Sequence, residues 1–395
     1  MDVARARYLT SSRGREALAA LPAALAVLSI NQLAATLRRH HPAAEAAALA
    51  EQVTLRARAV GRLREPERWL LTADGLEMMT HPLVAERRAR RIATIGLPVA
   101  DLTTGLGGDL AEVAACCPRT TGLENVRGTA LLAQANVPLA AIVQGDARRP
   151  PFDISRHLVL IDPSRRADGS RRFDPDAFSP AWREALSVVE AAPAGVMKAP
   201  PGLDHRYIPA EAEAEFVQVG RSMREAALWM GRGAAPGLRR AVLLREREGD
   251  AIELDSNAPQ APDSTAAVGT FIFDPESCVT RAGLVRQLGE RIGGQQLDPQ
   301  TAYLSGNVAK FDPLCATFEV LDVIHFSLAR LKRHLRERKW RPDEVRRRAF
   351  PIDPDELLRQ LGRLEGEPVA LLLTTINGER TVVMARRATG DRAKL

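Results

Sequence analysis

Val99-Ala-Asp-Leu-Thr-Thr-Gly-Leu-Gly-Gly-Asp109 joins a short apolar run to a glycine-rich turn. Leu110, Val113, Ala114 and Cys117 then recur at i, i+3, i+4 and i+7. An uninterrupted apolar run is what a strand buried on both faces requires, and glycines just past its end let a ligand approach the backbone. The 3.6-residue periodicity that follows predicts an amphipathic helix. Strand, glycine turn and helix form the opening of a nucleotide-binding βαβ unit.

The acids around the turn restrict the nucleotide. A dinucleotide fold uses G-x-G-x-x-G to seat a pyrophosphate on the helix N-terminus. Here the pattern is Gly105-Leu106-Gly107-Gly108-Asp109, with a carboxylate where the phosphate would lie. That charge repels an anion. Asp101, at the strand end, suits an ammonium or a sulfonium, and S-adenosylmethionine (SAM) carries both. Asp109 is read as a first-turn residue that satisfies backbone amides, outside the site.

Three further apolar runs end in acids. Thr120-Thr-Gly-Leu-Glu124 predicts a second strand whose terminal carboxylate can accept both ribose hydroxyls. Ala140-Ala-Ile-Val-Gln144 precedes Gly145-Asp146-Ala147, and His157-Leu-Val-Leu-Ile161 precedes Asp162-Pro-Ser-Arg-Arg166. A lone acid after a strand often caps a turn. Asp101, Glu124, Asp146 and Asp162 in series fit a shared crevice at strand C-termini.

These residues resemble the class I SAM-dependent methyltransferases. The first motif of that family is acidic-x-G-x-G-x-G; here Thr103 replaces the first glycine and Gly108 directly follows Gly107. The D-x-x-x-G-x-G-G form resembles that of the trimethylguanosine synthase and RNA guanine methyltransferase groups. The resemblance implies SAM as cofactor, held by Asp101, Thr103, Gly105, Gly107, Gly108, Glu124, Asn125, Asp146 and Ala147. It also implies that Asp146 accepts from the adenine amino group.

Asp162-Pro163-Ser164-Arg165 occupies the place of the family's fourth motif, [Asp/Asn/Ser]-Pro-Pro-[Tyr/Phe/Trp] in amino-methylating members. There the acid and a proline carbonyl accept from the target amine while the aromatic ring stacks on the base. Arg165 can stack on a base or hold a phosphate. Asp-Pro-x-Arg also resembles the motif of RNA uracil-C5 methyltransferases, which need a cysteine nucleophile after the next strand. Gly195-Val-Met-Lys-Ala-Pro-Pro-Gly202 contains none, so direct transfer to nitrogen or oxygen is favoured. Such a transfer needs the acceptor at near-attack distance and water excluded. Asp162, Pro163, Ser164 and Arg165 are therefore the candidate catalytic residues, with Arg166 and Lys198 as substrate contacts; Lys198 reads equally well as a solvated strand end.

The net charge is +6. Arg330 to Arg348 holds ten basic residues against Glu337, Asp343 and Glu344, enough to account for the whole excess. Leu328, Leu331 and Leu335 make one apolar stripe, which predicts a helix with a basic outer face. Lys332, Arg333 and Arg336 on it are candidate contacts to nucleic-acid phosphates. A solvated helix is the simpler alternative. The four cysteines, at 116, 117, 278 and 315, show neither metal spacing nor a disulfide framework, and the seven histidines form no ligand cluster. No metal site is expected, no membrane span or secretory signal is visible, and a cytoplasmic enzyme is expected.

The expected organisation is α/β. A helical N-terminal region (1–75) leads through Met79-Thr-His-Pro-Leu83, a helix start whose Thr-Pro turn partly matches a SAM contact of the resembled family. A Rossmann-like seven-stranded methyltransferase core (76–250) follows, finishing with strands near Phe216–Val219 and Arg240–Leu244. Residues 246–265 read as a linker. A C-terminal α/β region (266–395) runs through a helix at Ala282–Ile292, a turn at Leu304-Ser-Gly-Asn307, the basic helix, and a hairpin about Asn377-Gly378. Nearly the whole length resembles bacterial methyltransferase-like proteins with a C-terminal THUMP-like domain. THUMP modules bind tRNA, so the resemblance implies an RNA substrate, without identifying the RNA or the modified atom; with the fourth motif and the strand-end acids, the expected reaction is transfer to a base nitrogen in tRNA or rRNA. A small-molecule methyltransferase with a C-terminal lid remains an alternative. So does a non-catalytic RNA- or protein-binding module with a degenerate SAM pocket.

Overall fold

A computed structural model describes the chain except positions 1, 23, 24, 26, 165, 168–169, 172–173, 246–250, 389 and 391–395; for 166–167 and 170–171 it describes the backbone alone. Packing divides the chain into two compact units, Met1–Ala214 with Arg224–Gly237, and Glu215–Met223 with Leu238–Leu395.

The first unit opens with helices α1 (Val3–Thr10), α2 (Ser12–Ala19), α3 (Ile30–Leu37) and α4 (Ala43–Ala59). Their caps follow the sequence: Asp2 and Ser11 accept from backbone N–H groups of the first turns, and Ser29 with Gln32 forms a reciprocal capping box. Two more helices follow, α5 (Ala73–Met78) and α6 (Pro82–Ile95). On α6, Pro82 occupies the first turn, the His81 ring nitrogen accepts from Leu83 N–H at 3.3 Å, and Gly96 ends the helix at φ +74°.

The alternating core then runs β1 (Val99–Asp101), α7 (Gly108–Cys116), β2 (Thr120–Glu124), α8 (Arg127–Asn136), β3 (Ala141–Gln144) and β4 (Leu158–Ile161). After the two-stranded β5 (Arg166–Ala167) and β6 (Ser170–Arg171) come α9 (Trp182–Glu190) and β7 (Ala194–Ala199). The remaining strands of this sheet are β8 (Glu213–Val219), β9 (Ser222–Gly231), β10 (Arg239–Leu244) and β11 (Ala251–Asp255). The sheet has nine strands in the order β11-β10-β8-β9-β7-β4-β1-β2-β3. The pairs β1–β2, β1–β4, β2–β3 and β4–β7 are parallel, and β7–β9 is antiparallel. The seven strands expected from the sequence, β1, β2, β3, β4, β7, β8 and β10, lie within it, and β9 and β11 are additional.

Two expectations need correction here. Residues 246–265 are not a plain linker, because Ala251–Asp255 is a strand antiparallel to β10. Its acids mark cross-strand pairing, since Glu253 takes Arg240 at 2.7 Å. Strand β9 was not anticipated at all: Arg-Glu-Ala-Ala-Leu favours helix, and burial of Glu225 to Met230 in the sheet overrides that propensity.

The N-terminal helices do not stand apart from the core. Leu9, Leu33, Leu49 and Leu71 share a buried cluster with Leu106 of the glycine turn and Leu132 of α8. Asn136 ties these parts together, donating to the carbonyls of Leu70 and Leu106 at 3.0 Å each and accepting from Leu70 N–H at 2.8 Å.

The second unit contains β12 (Phe271–Pro275), α10 (Ser277–Ala282), α11 (Val285–Ile292), β13 (Gln295–Gln296), β14 (Leu304–Gly306) and β15 (Cys315–His325). It ends with α12 (Leu328–Glu337), β16 (Trp340–Arg347), α13 (Pro354–Leu361), β17 (Glu367–Ile376) and β18 (Glu379–Arg387). The sheet order is β13-β14-β12-β15-β18-β17-β16. Asn377 and Gly378 both have positive φ (51° and 80°), so β17 and β18 meet at the expected hairpin. The helix read as Ala282–Ile292 is two, broken at Gly283 (φ +68°), and the Leu304–Asn307 turn is largely strand β14, paired with β12 and β13. The basic run also divides. Leu331 and Leu335 anchor α12 as expected, but Arg346 and Arg348 belong to and follow β16 and pair with buried Asp274, at 2.6 and 2.9 Å.

Candidate active site at the strand ends

The parallel strands of the first unit present their C-termini together, so the expected acids converge. Asp101 at the end of β1 is buried and accepts from Thr103 N–H at 3.1 Å. The turn beyond it needs glycine: Gly107 has φ +94°, and a Cβ there would lie 2.5 Å from the Val137 side chain. Gly105 has φ +56°, with open space where its Cβ would lie, and its N–H donates to Glu124 Oε2 at 3.0 Å. The other Glu124 oxygen accepts from Val126 N–H at 2.8 Å. Burial raises the Glu124 pKa against the opposing pull of these backbone donors. Glu124 therefore fixes the glycine turn while sitting half-buried beside it.

Asp162 follows β4. Its N–H donates to Thr103 Oγ1 at 2.6 Å, so the threonine that replaces a family glycine supplies a hydroxyl joining two strand ends. The Asp162 carboxylate is about 42% exposed and meets Lys198 Nζ at 2.6 Å. Pro163 is buried, and Ser164 exchanges backbone hydrogen bonds with Ser179. At the end of β3, Asp146 is exposed and engages Arg148 at 2.6 Å, a hydrogen bond that lowers its pKa; Ala147 beside it is buried. Asn125 uses its carbonyl to accept from Gln144 Nε2 at 3.3 Å. Arg165 lies outside the described residues, and only the backbone of Arg166 is described, in β5. Lys332, Arg333 and Arg336 lie on α12 of the second unit, Arg333 and Arg336 exposed.

Two expectations change at the centre of the site. Asp109 does not serve backbone amides. Its carboxylate is buried and takes Arg88 on one oxygen, with Thr80 Oγ1 at 2.5 Å and Lys198 Nζ at 3.1 Å on the other. Burial opposes its ionisation, but Arg88 and Lys198 outweigh burial and hold its pKa down at about 2. Lys198 is not a solvated strand end. It is buried, and Asp109, Asp162 and Glu225 push its pKa upward against the effect of burial. Arg88 also binds Glu225 of β9. Arg88 and Glu225 were missed in the sequence, whereas Thr80 reads there only as part of a turn that partly matches a SAM contact, and here its hydroxyl bonds Asp109 and Lys198. Arg88 had a legible signal, because it interrupts the buried stripe Val84, Ala85, Ala89, Ile92 of α6.

Burial, then the nearby Asp109, pushes the Asp101 pKa up to about 7. A raised carboxyl contributes stability that is present below its unfolded value, 3.8, and lost as pH rises through about 7. Denaturant unfolding of the ligand-free chain is therefore expected to weaken between pH 4 and 7 by on the order of 4 kcal/mol from this group. Asp101→Asn should flatten that decline. An unchanged slope in the variant would place the titration elsewhere.

Asp109, Glu124, Asp162 and Glu225 against Arg88 and Lys198 leave the strand ends net anionic even with Asp101 protonated, which opposes a pyrophosphate and suits a sulfonium. The half-buried Glu124, the open glycine turn and the buried Asp101 form a set of donors and acceptors that SAM fits. Strand order and site together define a class I methyltransferase architecture.

Comparison with known proteins agrees. Two uncharacterized S-adenosylmethionine-dependent methyltransferases of Mycobacterium tuberculosis, from strains CDC 1551 and H37Rv, are each 35% identical over 345 residues, covering 83% of this chain and 92% of theirs. The chain belongs to the S-adenosylmethionine-dependent methyltransferases, and SAM is its cofactor. Residues 315–387 match the THUMP domain-like family, and residues 2–59 match a domain of unknown function. A crystal structure of a proposed methyltransferase from Porphyromonas gingivalis W83 shares the fold, with a TM-score of 0.74 at 20% identity over 98% of both chains. Among the described residues, no helix is long and apolar enough to cross a membrane.

Proposed function

We propose that this chain transfers the methyl group of SAM to a nitrogen of a base in RNA. The observation that carries the reading is the Asp162 carboxylate, partly exposed at the end of β4 and fixed by Lys198 on its side chain and Thr103 on its backbone. SAM supplies an electrophilic methyl on a sulfonium. A nitrogen lone pair takes that methyl, the C–S bond breaks as the N–C bond forms, and the nitrogen's proton passes to water. Asp162 accepts an N–H of the acceptor and so orients the lone pair, with the Pro163 carbonyl as second acceptor and Ser164 next in the motif; Arg165 is assigned to substrate positioning from the sequence alone. Holding the acceptor in line contributes most of the acceleration in such a displacement.

For the cofactor, Glu124 is assigned to the ribose and Asp146 with Ala147 to the adenine. Asp101, Thr103, Gly105, Gly107, Gly108 and Asn125 line the remainder. RNA as substrate is supported by the THUMP domain-like match and by the exposed arginines of α12, among them Arg333 and Arg336. Lys332 is assigned to the same contact on α12, and Arg166 is assigned to the substrate from the sequence alone.

The test is transfer of labelled methyl from SAM into total RNA by the full chain, with mass spectrometry of the nucleosides. An N-methylated nucleoside is expected. With about three phosphate contacts, affinity should fall about 40-fold between 50 and 200 mM salt. Label that enters only small metabolites, with salt-independent binding, would favour the small-molecule reading instead.

A further inference from the structure

Lys198 offers three N–H donors, and three protein oxygens already surround them: Asp162 Oδ2 at 2.6 Å, Thr80 Oγ1 at 2.7 Å and Asp109 Oδ2 at 3.1 Å. The ammonium has no donor left over for a substrate phosphate or base, and it is buried. Its partners are themselves held. Thr80 accepts from Lys198 and donates to Asp109 Oδ2 at 2.5 Å, while Asp109 Oδ1 and Glu225 Oε1 take the two ends of the Arg88 guanidinium. The chain Glu225–Arg88–Asp109–Lys198–Asp162 thus runs from β9 through α6, α7 and β7 to the end of β4. Asp162 is its exposed terminus; every other member is buried.

We propose that Lys198 is a positioning residue: it touches no substrate, and acts by holding the Asp162 carboxylate in the one orientation that receives the acceptor. The role follows from the connectivity. A half-exposed aspartate has several rotamers open to it, and a fixed cation at 2.6 Å selects among them. That cation is fixed in turn by Asp109, whose other oxygen is locked by an arginine anchored in the sheet. Among the described residues, charges that act on Asp162 come from Lys198 of β7, Arg88 of α6 and Asp101 of β1; of these two cations, Lys198 is the one in contact with it. The proposal rests on the reading of Asp162 given above.

A double-mutant cycle tests it. Lys198→Met should lower kcat about 10- to 100-fold, with the acceptor KM and the SAM dissociation constant within about threefold. Lys198→Arg, which keeps a cation, should recover part of the loss. In an Asp162→Asn background, Lys198→Met should cost less than about threefold more, because its effect passes through a group already removed. Multiplicative losses in the double variant, or a raised acceptor KM with unchanged kcat, overturn the proposal in favour of a general structural role or a direct substrate contact.

The same cycle is read in unfolding midpoints of the SAM-bound chain, which needs no acceptor. Non-additivity there supports the coupling and additivity overturns it, even if the wild-type chain methylates no RNA and the functional reading fails.

Discussion

Replacing Asp162 by Ala is expected to lower methyl transfer by about 10²- to 10⁴-fold while SAM affinity stays within a few-fold. The asymmetry comes from where the side chain stands. Its carboxylate is partly exposed and contacts Lys198, whereas the glycine turn is fixed by a different acid, Glu124, through Gly105 and Val126. Removing Asp162 leaves that turn intact. It leaves Lys198 with Asp109 and Thr80, so no buried cation is stranded. Only the acceptor loses its partner. Calorimetric titration with SAM alongside labelled transfer separates the two quantities. Loss of SAM binding in parallel with transfer would move Asp162 from the acceptor side of the site to the cofactor side.

Arg88→Met should be the most destabilising single change in the first unit, by about 3–5 kcal/mol in denaturant unfolding. Arg88 is 3% exposed and binds two carboxylates, Asp109 and Glu225, that are themselves buried. Methionine fills similar space but removes the cation that contacts Glu225 and leaves Asp109 with Lys198 and Thr80. Arg88→Lys should fall between, because one ammonium cannot reproduce the two-ended guanidinium contact. The pH dependence carries the same signature with a definite sign. A carboxyl whose pKa is lowered from 3.8 to about 2 contributes stability above its unfolded value, and this is lost as pH falls through about 2. In Arg88→Met that acid-side loss should shrink. A variant as stable as wild type would show that the cluster is tolerated rather than required.

What the sequence disclosed and what it concealed follow from the range of each interaction. Asp101, Glu124 and Asp162 could be placed at strand ends because each sits directly after an apolar run, a signal contained within a few residues. The Asn377-Gly378 hairpin is equally local. Arg88 and Glu225 are 137 positions apart, and no local pattern joins them. The same applies to Arg346 and Asp274, 72 positions apart, which turn part of an apparent basic face into an internal ion pair. Thr103 read as a defect in a glycine motif; its purpose appears only once β1 and β4 lie side by side and the Asp162 N–H meets its hydroxyl. Strand β9 was hidden for another reason, since its residues individually prefer helix and only the sheet reverses that preference.

The Asn136 amide holds the carbonyls of Leu70 and Leu106 at once, and Leu106 is buried among side chains of the first helices. The glycine turn therefore has a floor that begins near residue 3, and the methyltransferase core is not a module that can be cut free at residue 75. An excised 76–250 fragment would carry Leu106 and Leu132 as an uncovered apolar face beneath its own cofactor loop. A substitution in the helical segment therefore alters the support of the cofactor loop, although Leu9 and Leu106 lie about 100 positions apart in the chain.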